Sequence, residues 1–428
     1  MSSILLSLVV IYLAAKLGGE LCTRLKLPPV LGELIGGVVI GVSALHLLGF
    51  SGTEGSVITD LLGATAHLSP ESLNSLFQNQ SEVIANLAEL GVIILLFEIG
   101  LESDLKELLR VGSQATLVAV VGVIVPFVLG TIGLMSIFGI PAIPAIFAGA
   151  ALTAKSIGIT AKVLSELGQL QSKEGQIIIG AAVMDDILGI IVLAVVASLA
   201  KTGKIELSHI FYLIISAAVF LIGAILLGRF LNPLFVALID RMQTRGQLLI
   251  SALVIAFVLS VLASLIQLEA ILGAFAAGLI LAETDKREAL SLQVKPISDM
   301  LVPIFFVIIG ARTDLSVLNP FLPENREGLV IAAFLLVVAI LGKVVTGLSV
   351  FGQPGINRWA IGVGMIPRGE VGLVFAAFGS ASGILPRSLN AAIIVMVIFT
   401  TFLAPPLLRV AFGQSKSVSK AVEQLETY

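Results

Sequence analysis

The chain has 428 residues, of which 57% are hydrophobic and only 12% are charged; its formal net charge is −3 and its mean hydropathy is +1.09. Soluble domains carry roughly 25% charged residues, so this composition excludes an ordinary soluble protein of two or three domains. The single cysteine excludes an internal disulfide. Apolar runs of the ~20 residues that a helix needs to cross a bilayer recur along the chain. We therefore predict an all-α polytopic membrane protein.

Thirteen candidate membrane spans follow one another, and each is predicted to be helical. Their approximate bounds are 3–23, 28–50, 82–101, 114–138, 142–165, 173–200, 208–232, 246–266, 269–283, 296–312, 328–352, 357–381 and 388–412. The first is interpreted as a span, because it lacks the basic start and the cleavage site of a signal peptide. Residues 51–81 are predicted to form a loop without Lys or Arg, and residues 413–428 a short cytoplasmic tail.

Lys and Arg are distributed unequally between the two ends of these spans. With the 51–81 loop placed outside, sixteen of these residues fall on cytoplasmic segments and five on the opposite side. This asymmetry satisfies the positive-inside rule. We expect the N-terminus outside, the C-terminus in the cytoplasm, and the plasma (inner) membrane of a prokaryote as the default location.

Two segments of the first half recur in the second half in the same order. Residues 27–41 (LPPVLGELIGGVVIG) resemble 268–282 (LEAILGAFAAGLILA), and residues 97–105 (FEIGLESDL) resemble 307–315 (VIIGARTDL). The copies are seven spans apart, and this odd number inverts one relative to the other. Inverted repeats, here about 27–200 and 268–412, are typical of secondary transporters with a binding site near the midplane. Chance similarity between Gly- and Leu-rich helices is the alternative.

The fifth and twelfth spans each contain a segment that disfavours a continuous helix. In the fifth, GAALTAKSIGITAKVL places Thr153, Lys155 and Ser156 at membrane depth; in the twelfth, GVGMIPRGEVGLVF contains Pro367 and several glycines. Matching interruptions in two halves indicate a substrate site, where unwound carbonyls can bind a cation. We expect Thr153 and Ser156 to contribute to that site. A kinked packing helix is the alternative.

Two adjacent carboxylates, Asp185 and Asp186, lie near the middle of the sixth span. A charged Asp at a helix centre costs about 2.5–3.5 kcal/mol on insertion scales, so such residues usually serve a function. Carboxylate oxygens bind both Na⁺ and protons, and a site that holds one or the other is the minimum for exchange. A pair that caps a re-entrant segment or balances structural cations is the alternative.

Lys343 lies alone within the eleventh span, too deep to reach water easily. A buried ammonium needs a counter-ion, and one of the two aspartates is the natural partner. In one interpretation the ion pair breaks when Na⁺ binds, and a proton is released. In the other, the pair is a purely structural bridge.

Three further charges lie within the spans. Arg368 and Glu370 share the interruption of the twelfth span, and Glu98 lies near the end of the third. Arg368 either neutralises Glu370 or holds unwound carbonyls. We favour structural roles for all three; for Glu98, a place along the ion path is the alternative.

Seven segments of the chain resemble the monovalent cation/proton antiporter 2 family, and within it the electrogenic bacterial Na⁺/H⁺ antiporters of the NapA-like type. These segments are VMDDILGII, ALTAKSIGITAKVL, LLFEIGLESDL, ILGAFAAGLIL, PIFFVIIG, GKVVTG and PRGEVGLVF. The resemblance covers nearly the whole chain. It implies about thirteen helices, two of them broken and crossing, a core domain, a dimerisation (scaffold) domain and a homodimer. It also implies cation binding by Asp186 and a pairing of Asp185 with Lys343.

Lys155 departs from the pattern ALTATSVGIT, in which the residue before the serine is normally Thr or another small polar residue. A second ammonium beside the aspartates either blocks or modifies Na⁺ binding, or points away and leaves transport ordinary. It could also be an introduced substitution.

The sequence therefore predicts a secondary transporter that exchanges protons for Na⁺ or Li⁺ by alternating access, without a cofactor or a nucleic-acid partner. A K⁺/H⁺ antiporter or a K⁺-efflux system resembling a channel is the main alternative. An organic-anion symporter is disfavoured by the acid pair. A membrane enzyme is disfavoured because no nucleophile–base pair, metal motif or phosphate loop lies near the acids.

Overall fold

A computed structural model of the chain describes residues 2–49, 56–66, 69–202, 207–315, 323–351, 355–368, 372, 375–376, 379 and 383–413. Within these ranges the regular elements are helical. The α-helices are α1 (Ser2–Arg24), α2 (Pro29–Ile40), α3 (Val57–Ala66), α4 (Pro70–Glu102), α5 (Leu105–Ile137), α6 (Ala142–Ala151), α7 (Ile157–Glu166), α8 (Lys173–Thr202), α9 (Leu207–Arg241), α10 (Gln247–Leu265), α11 (Ala270–Ala282), α12 (Arg287–Ala311), α13 (Pro323–Val344), α14 (Arg358–Gly364) and α15 (Arg387–Phe412). A 3₁₀ turn (Val345–Ser349) extends α13.

Eight helices of the described chain are long and apolar enough to cross a membrane. The shorter apolar helices include α2, α6 and α11, which are only 10–13 residues long. Short apolar helices of this kind are typical of interrupted or re-entrant spans buried in protein. The predicted all-α polytopic membrane fold is confirmed.

The prediction of a loop over residues 51–81 is wrong for its described part, which contains α3 and the first turns of α4. The start of α4 explains the error. Ser69 caps the helix by accepting a hydrogen bond from the amide of Ser72, and Pro70 and Glu71 follow in the first turn. Ser, then Pro, then an acid is also a helix-start pattern, and the polar composition hid it.

Several other predicted bounds differ from the structure, among them those of α4, α12 and α2. α4 and α12 begin 12 and nine residues before the apolar runs that predicted them, at Pro70 and Arg287. Hydropathy marks only the part of a helix that lies in hydrocarbon, so the polar first turns were missed. Conversely, α2 stops at Ile40, well before residue 50, because Gly41 turns into an extended conformation. The next amide, of Val42, donates to the carbonyl of Ala311 at the end of α12.

The helices pack in two groups. In one, the α4 bundle, α4 packs on α11 and α12, α2 packs on α1 and α12, and α10 packs on α11. In the other, the α8 bundle, α5 packs on α6, α8 and α13, and α13 packs on α15. α7 lies between them and touches α2 and α4 as well as α8 and α15. The division into a scaffold and a core domain, predicted above, stays a prediction.

Glycines that match between the repeated segments make equivalent contacts. Gly37 of α2 meets Gly310 of α12, and their repeat counterparts, Gly278 of α11 and Gly100 of α4, meet in the same way. At each of the four positions an added Cβ would collide with a backbone carbonyl of the facing helix. Small residues allow such close crossing of membrane helices. The α2–α12 and α4–α11 crossings are therefore built alike.

Contacts between distant segments define two ends of the molecule. At one, the Arg287 side chain donates to the carbonyl of Glu102, and Lys286 forms an ion pair with Asp240 at 2.8 Å. We call it the basic end. At the opposite end, the Ser43 hydroxyl donates to the carbonyl of Thr313 and accepts from the amide of Leu315, each after its helix has ended.

Candidate functional site

Two interrupted segments cross inside the α8 bundle. Residues 152–156 separate α6 from α7, and the chain leaves α14 at Met365, just before Pro367. The Ser156 amide donates to the carbonyl of Pro367 at 2.9 Å, and the Thr160 hydroxyl donates to the carbonyl of Gly364 at 3.3 Å. Each segment thus satisfies backbone groups that the other leaves without helical partners, which is how non-helical backbone is tolerated at membrane depth.

Arg368 holds the crossing together. Its side chain is fully buried, and its Nη1 donates to the carbonyls of Leu152 and Ala154 in the interruption between α6 and α7. Thr401 of α15 in turn donates to the carbonyl of Arg368. A guanidinium is suited to this position because several donors leave one rigid plane. The predicted partner Glu370 lies outside the described residues.

Asp185 of α8 faces the ammonium of Lys343. The Lys343 Nζ lies 3.2 Å from Asp185 Oδ1 and 3.1 Å from Oδ2, and it also donates to the carbonyl of Thr153 at 2.9 Å. Both side chains of this pair are inaccessible to solvent. The contacts join α8, α13 and the interruption of the fifth span at one point. A buried ion pair of this kind is strongly destabilised when one partner is lost.

Asp186 lines a small cavity with Asp185 and Lys155. The remaining lining residues are Ala154, Gly189, Ile190 and Glu269. The cavity has about 10 Å³ for the centre of a water-sized sphere, so it holds roughly one water or one small dehydrated cation. Asp186 is 8% exposed and Lys155 is 3% exposed. Two carboxylates and one ammonium therefore share a site of single-ion size.

Lys155 turns its ammonium partly away from the carboxylates. Its Nζ donates to the carbonyl of Ile178 at 3.4 Å and lies 3.3 Å from the Met365 sulfur. It remains close enough to both aspartates for their charges to interact. The geometry thus puts a second positive charge beside the cavity but not across its mouth.

The other predicted site residues are Thr153, Ser156 and Glu98. The Thr153 hydroxyl donates to the carbonyl of Ala150, and the Ser156 hydroxyl caps α7 by accepting from the Ile159 amide. Neither residue is among the described residues that line the cavity. Glu98 accepts a hydrogen bond from Ser298 of α12 inside the α4 bundle. The roles predicted for all three stay predictions.

A larger cavity of about 460 Å³ opens between the two bundles toward the end opposite the basic end. Its walls come from α4, α11, α12 and α15, and its charged residues are Glu89, Glu269, Arg312 and Asp314. Glu269, the residue before α11, lines this vestibule and the small cavity alike. The aspartate cavity therefore adjoins the vestibule.

At the basic end, α7 contacts the α4 bundle. The Glu166 carboxylate at the end of α7 lies near the backbone of Val30 in α2, and Ser165 lies near the Glu102 carboxylate at the end of α4. Lys162 lies within interaction range of Glu33, Glu102 and Glu166. The structure is thus open at one end and bridged at the other.

Sequence reasoning missed Glu269 and Met365. Glu269 carried a weak signal, since it is an acid at the start of a short apolar span inside a repeated segment. Met365 carried none, because an apolar residue in an apolar span does not reveal that it meets an ammonium.

A buried carboxylate pair, balanced by lysines where two interrupted helices cross, defines a polytopic membrane protein of the secondary-transporter class. The comparisons identify the family within that class. The chain belongs to the sodium/hydrogen exchanger transmembrane family, whose sequence profile matches residues 6–412.

Named relatives agree with this assignment. The chain is 66% identical over 420 residues to the high-affinity Na⁺/H⁺ antiporter NhaS3 of Synechocystis, covering 97% of this chain and 91% of that protein. It is 32% identical over 418 residues to the Na⁺/H⁺-K⁺ antiporter GerN of Bacillus cereus, covering 97% of each. Its fold matches the sodium/proton antiporter MjNhaP1 of Methanocaldococcus jannaschii with a TM-score of 0.62, at 17% identity, over 96% of this chain and 98% of that one.

Proposed function

We propose that this protein exchanges Na⁺ or Li⁺ for protons across a membrane by alternating access. The observation that carries the proposal is the cavity of single-ion size lined by Asp185 and Asp186, with the ammonium of Lys343 on Asp185. The 66% identical relative from Synechocystis is a Na⁺/H⁺ antiporter, which supports the same exchange.

The chemistry of the pair supplies the coupling. Asp186, on the cavity, binds the cation, while Asp185 is neutralised by Lys343 in the state described here. Protons and Na⁺ compete for the same carboxylate oxygens, so a proton must leave before the cation binds. When a cation draws Asp185 into its coordination, Lys343 loses its counter-charge and the energetic reason to stay protonated. One cation can thereby displace protons from more than one group.

The unwound segment of the fifth span contributes carbonyl oxygens near the site. The carbonyl of Thr153 accepts a hydrogen bond from the Lys343 ammonium, and Ser156 lies at the start of α7. We infer that this segment, including Thr153 and Ser156, contacts the ion during the cycle. Arg368 keeps the interruption in shape, because it spans the carbonyls on both sides of Thr153.

We infer that the basic end faces the cytoplasm, in the plasma membrane of a prokaryote. The end carries Arg24, Lys106, Lys286 and Arg287, and positive residues concentrate on the cytoplasmic side of membrane proteins. The vestibule then opens outward. The bilayer surrounds the molecule, and the exposed apolar face of α9, with Phe211, Ile215 and Val219, supports a homodimer as the working assembly.

K⁺ is the second candidate cation, because the Bacillus cereus relative is named a Na⁺/H⁺-K⁺ antiporter. The small volume of the aspartate cavity favours the smaller ions Na⁺ and Li⁺. Selectivity is therefore part of the test.

Collapse of an imposed pH gradient in proteoliposomes, after addition of Na⁺, Li⁺ or K⁺, measures the exchange directly. We expect Na⁺ and Li⁺ to collapse the gradient in the wild type and Asp186→Asn to abolish the signal, because an amide cannot exchange a proton for a cation. Asp60→Asn, at an exposed position on α3, is the matched control and should keep wild-type rates. Retained exchange in Asp186→Asn would overturn the site. Uptake of the added cation that leaves the pH gradient unchanged would favour the channel-like alternative.

A further inference from the structure

Glu269 occupies a position that the exchange mechanism above does not use. It lies at the N-terminal boundary of α11, and it lines both the outward vestibule and the aspartate cavity. Of the described residues that line the aspartate cavity, the other six belong to α8 or to the interruption before α7. Glu269 alone comes from the α4 bundle. Glu269 is therefore a carboxylate on the α4 bundle that faces the aspartate cavity of the α8 bundle.

The position of Glu269 has a chemical consequence. A carboxylate oxygen is a hard ligand suited to Na⁺, and a negative charge at the neck between a vestibule and a binding cavity raises the local cation concentration. Glu89, Arg312 and Asp314 also face the vestibule, but none of them lines the aspartate cavity. A cation that moves from the vestibule to Asp186 thus passes Glu269 last.

We propose that Glu269 is an entrance carboxylate, which receives cations from the vestibule side and delivers them to Asp186. The inference rests on the proposed function and adds a sidedness to it. Alternating access moves the aspartates relative to the α4 bundle, and Glu269 stays with that bundle because α11 packs on α4 and α10. When the site opens to the basic end, different groups line the ion path. Glu269 then serves the outer face only.

Glu269→Gln tests this sidedness, because it keeps the side-chain shape and removes the charge. Na⁺-driven proton movement is measured in right-side-out and in everted membrane vesicles, which present the vestibule and the basic end to added Na⁺, respectively. We expect the apparent KM for Na⁺ to rise about 5-fold at the vestibule face, which is the size expected for the loss of one nearby charge. At the basic face the apparent KM should stay unchanged. Glu269→Asp, which keeps the charge, should restore most of the affinity.

Glu283→Gln is the matched control, since Glu283 is an exposed carboxylate at the other end of the same helix. It should leave the vestibule-face KM at the wild-type value. The Glu269→Gln effect should also shrink when an inert salt raises the ionic strength, because exposed charges are screened. A packing defect would show no such salt dependence.

The outcomes separate the two proposals. A wild type that moves no protons in either vesicle type overturns the proposed function. An active wild type with equal KM values in Glu269→Gln overturns the entrance role alone. An equal rise of KM at both faces also overturns the entrance role, because such a result would mean that Glu269 belongs to the ion site throughout the cycle.

Discussion

At the scale of single residues, the molecule concentrates buried charge at one point. Asp185, Asp186, Lys155, Lys343 and Arg368 are all at least 92% buried. Isolated charges would be prohibitively unfavourable there, and the ion pair and carbonyl contacts compensate for that burial. Whether each of these groups stays charged therefore depends on its neighbours. Exchange requires this property, because the groups must change their charge when an ion binds or leaves.

The Lys343–Asp185 pair gives a prediction about stability. Lys343→Met alone should lower the free energy of unfolding by about 3–5 kcal/mol, because it leaves the Asp185 carboxylate buried without its ammonium. Adding Asp185→Asn removes the stranded charge, so the double variant should be more stable than Lys343→Met. Thermal unfolding in detergent measures both. A double variant that loses as much as the two single variants combined would show that the residues do not interact.

Lys155 gives a prediction about affinity. Its positive charge interacts with both aspartates beside the cavity, so Lys155→Thr should lower the apparent KM for Na⁺ about 3- to 10-fold. Lys155→Arg keeps the charge and serves as the control, with a KM near that of the wild type. Na⁺ titration of exchange in proteoliposomes measures the change. Exchange that begins only in Lys155→Thr would instead mean that the ammonium occupies the ion position.

At the scale of elements, the crossings of α2 with α12 and of α4 with α11 carry the symmetry of the two repeats. Gly37 and Gly278 occupy matching places in them, and each lies against a backbone carbonyl of the facing helix. The repeat found in the sequence thus corresponds to a repeated contact. Leu and Gly at fixed spacing do not by themselves reveal which helices will cross.

Gly37→Ala and Gly278→Ala should destabilise the protein by similar amounts. A Cβ at either position forces the backbones apart, and such overpacking costs about 1–3 kcal/mol. Gly112→Ala in α5 is the control, because a Cβ there meets nothing within 4 Å. Unfolding temperatures of the three variants test this directly. An unchanged temperature for Gly278→Ala would argue against equivalent packing in the two repeats.

At the scale of the whole molecule, the two bundles are separated by a vestibule at one end and bridged at the other. The contacts of α7 at the bridged end include Glu166 beside Val30 and Ser165 beside Glu102, so α7 is one element that joins the α8 bundle to the α4 bundle. Removing these contacts should favour the state that opens to the basic end, because they stabilise the closed end described here.

Thiol labelling can detect this shift. Ile190→Cys places a thiol in the aspartate cavity, and Cys22→Ser removes the native one. In this background, a membrane-impermeant reagent should label the site from the vestibule side. Adding Glu102→Ala and Glu166→Ala should raise labelling from the basic end up to roughly 30-fold, because two lost polar contacts of at most about 1 kcal/mol each shift the equilibrium by about 2 kcal/mol. Unchanged labelling would mean that other contacts hold the closed end.

Much of this architecture follows from the sequence alone. Hydropathy determines the class of protein, and the acids at Asp185 and Asp186, the lone Lys343 and the interrupted fifth span indicate where its chemistry lies. These signals can be read locally, because a charged residue inside an apolar membrane span is unfavourable whatever the packing around that span. The helix at 57–66 escaped the same reasoning because its 10 residues are too few for a membrane span, and the start of α4 escaped it because that part of the helix is polar.

The residues alone left open which aspartate Lys343 meets; the resemblance implied Asp185, and the packing brings these two residues together across 158 positions. Only the tertiary structure decided that Arg368 reaches the carbonyl of Leu152 across 216 positions. The place of Glu269, at the neck between vestibule and ion cavity, depends on how the two bundles lie against each other. Periodicity and composition describe neighbours along the chain, whereas these contacts result from the packing of helices that the sequence separates widely.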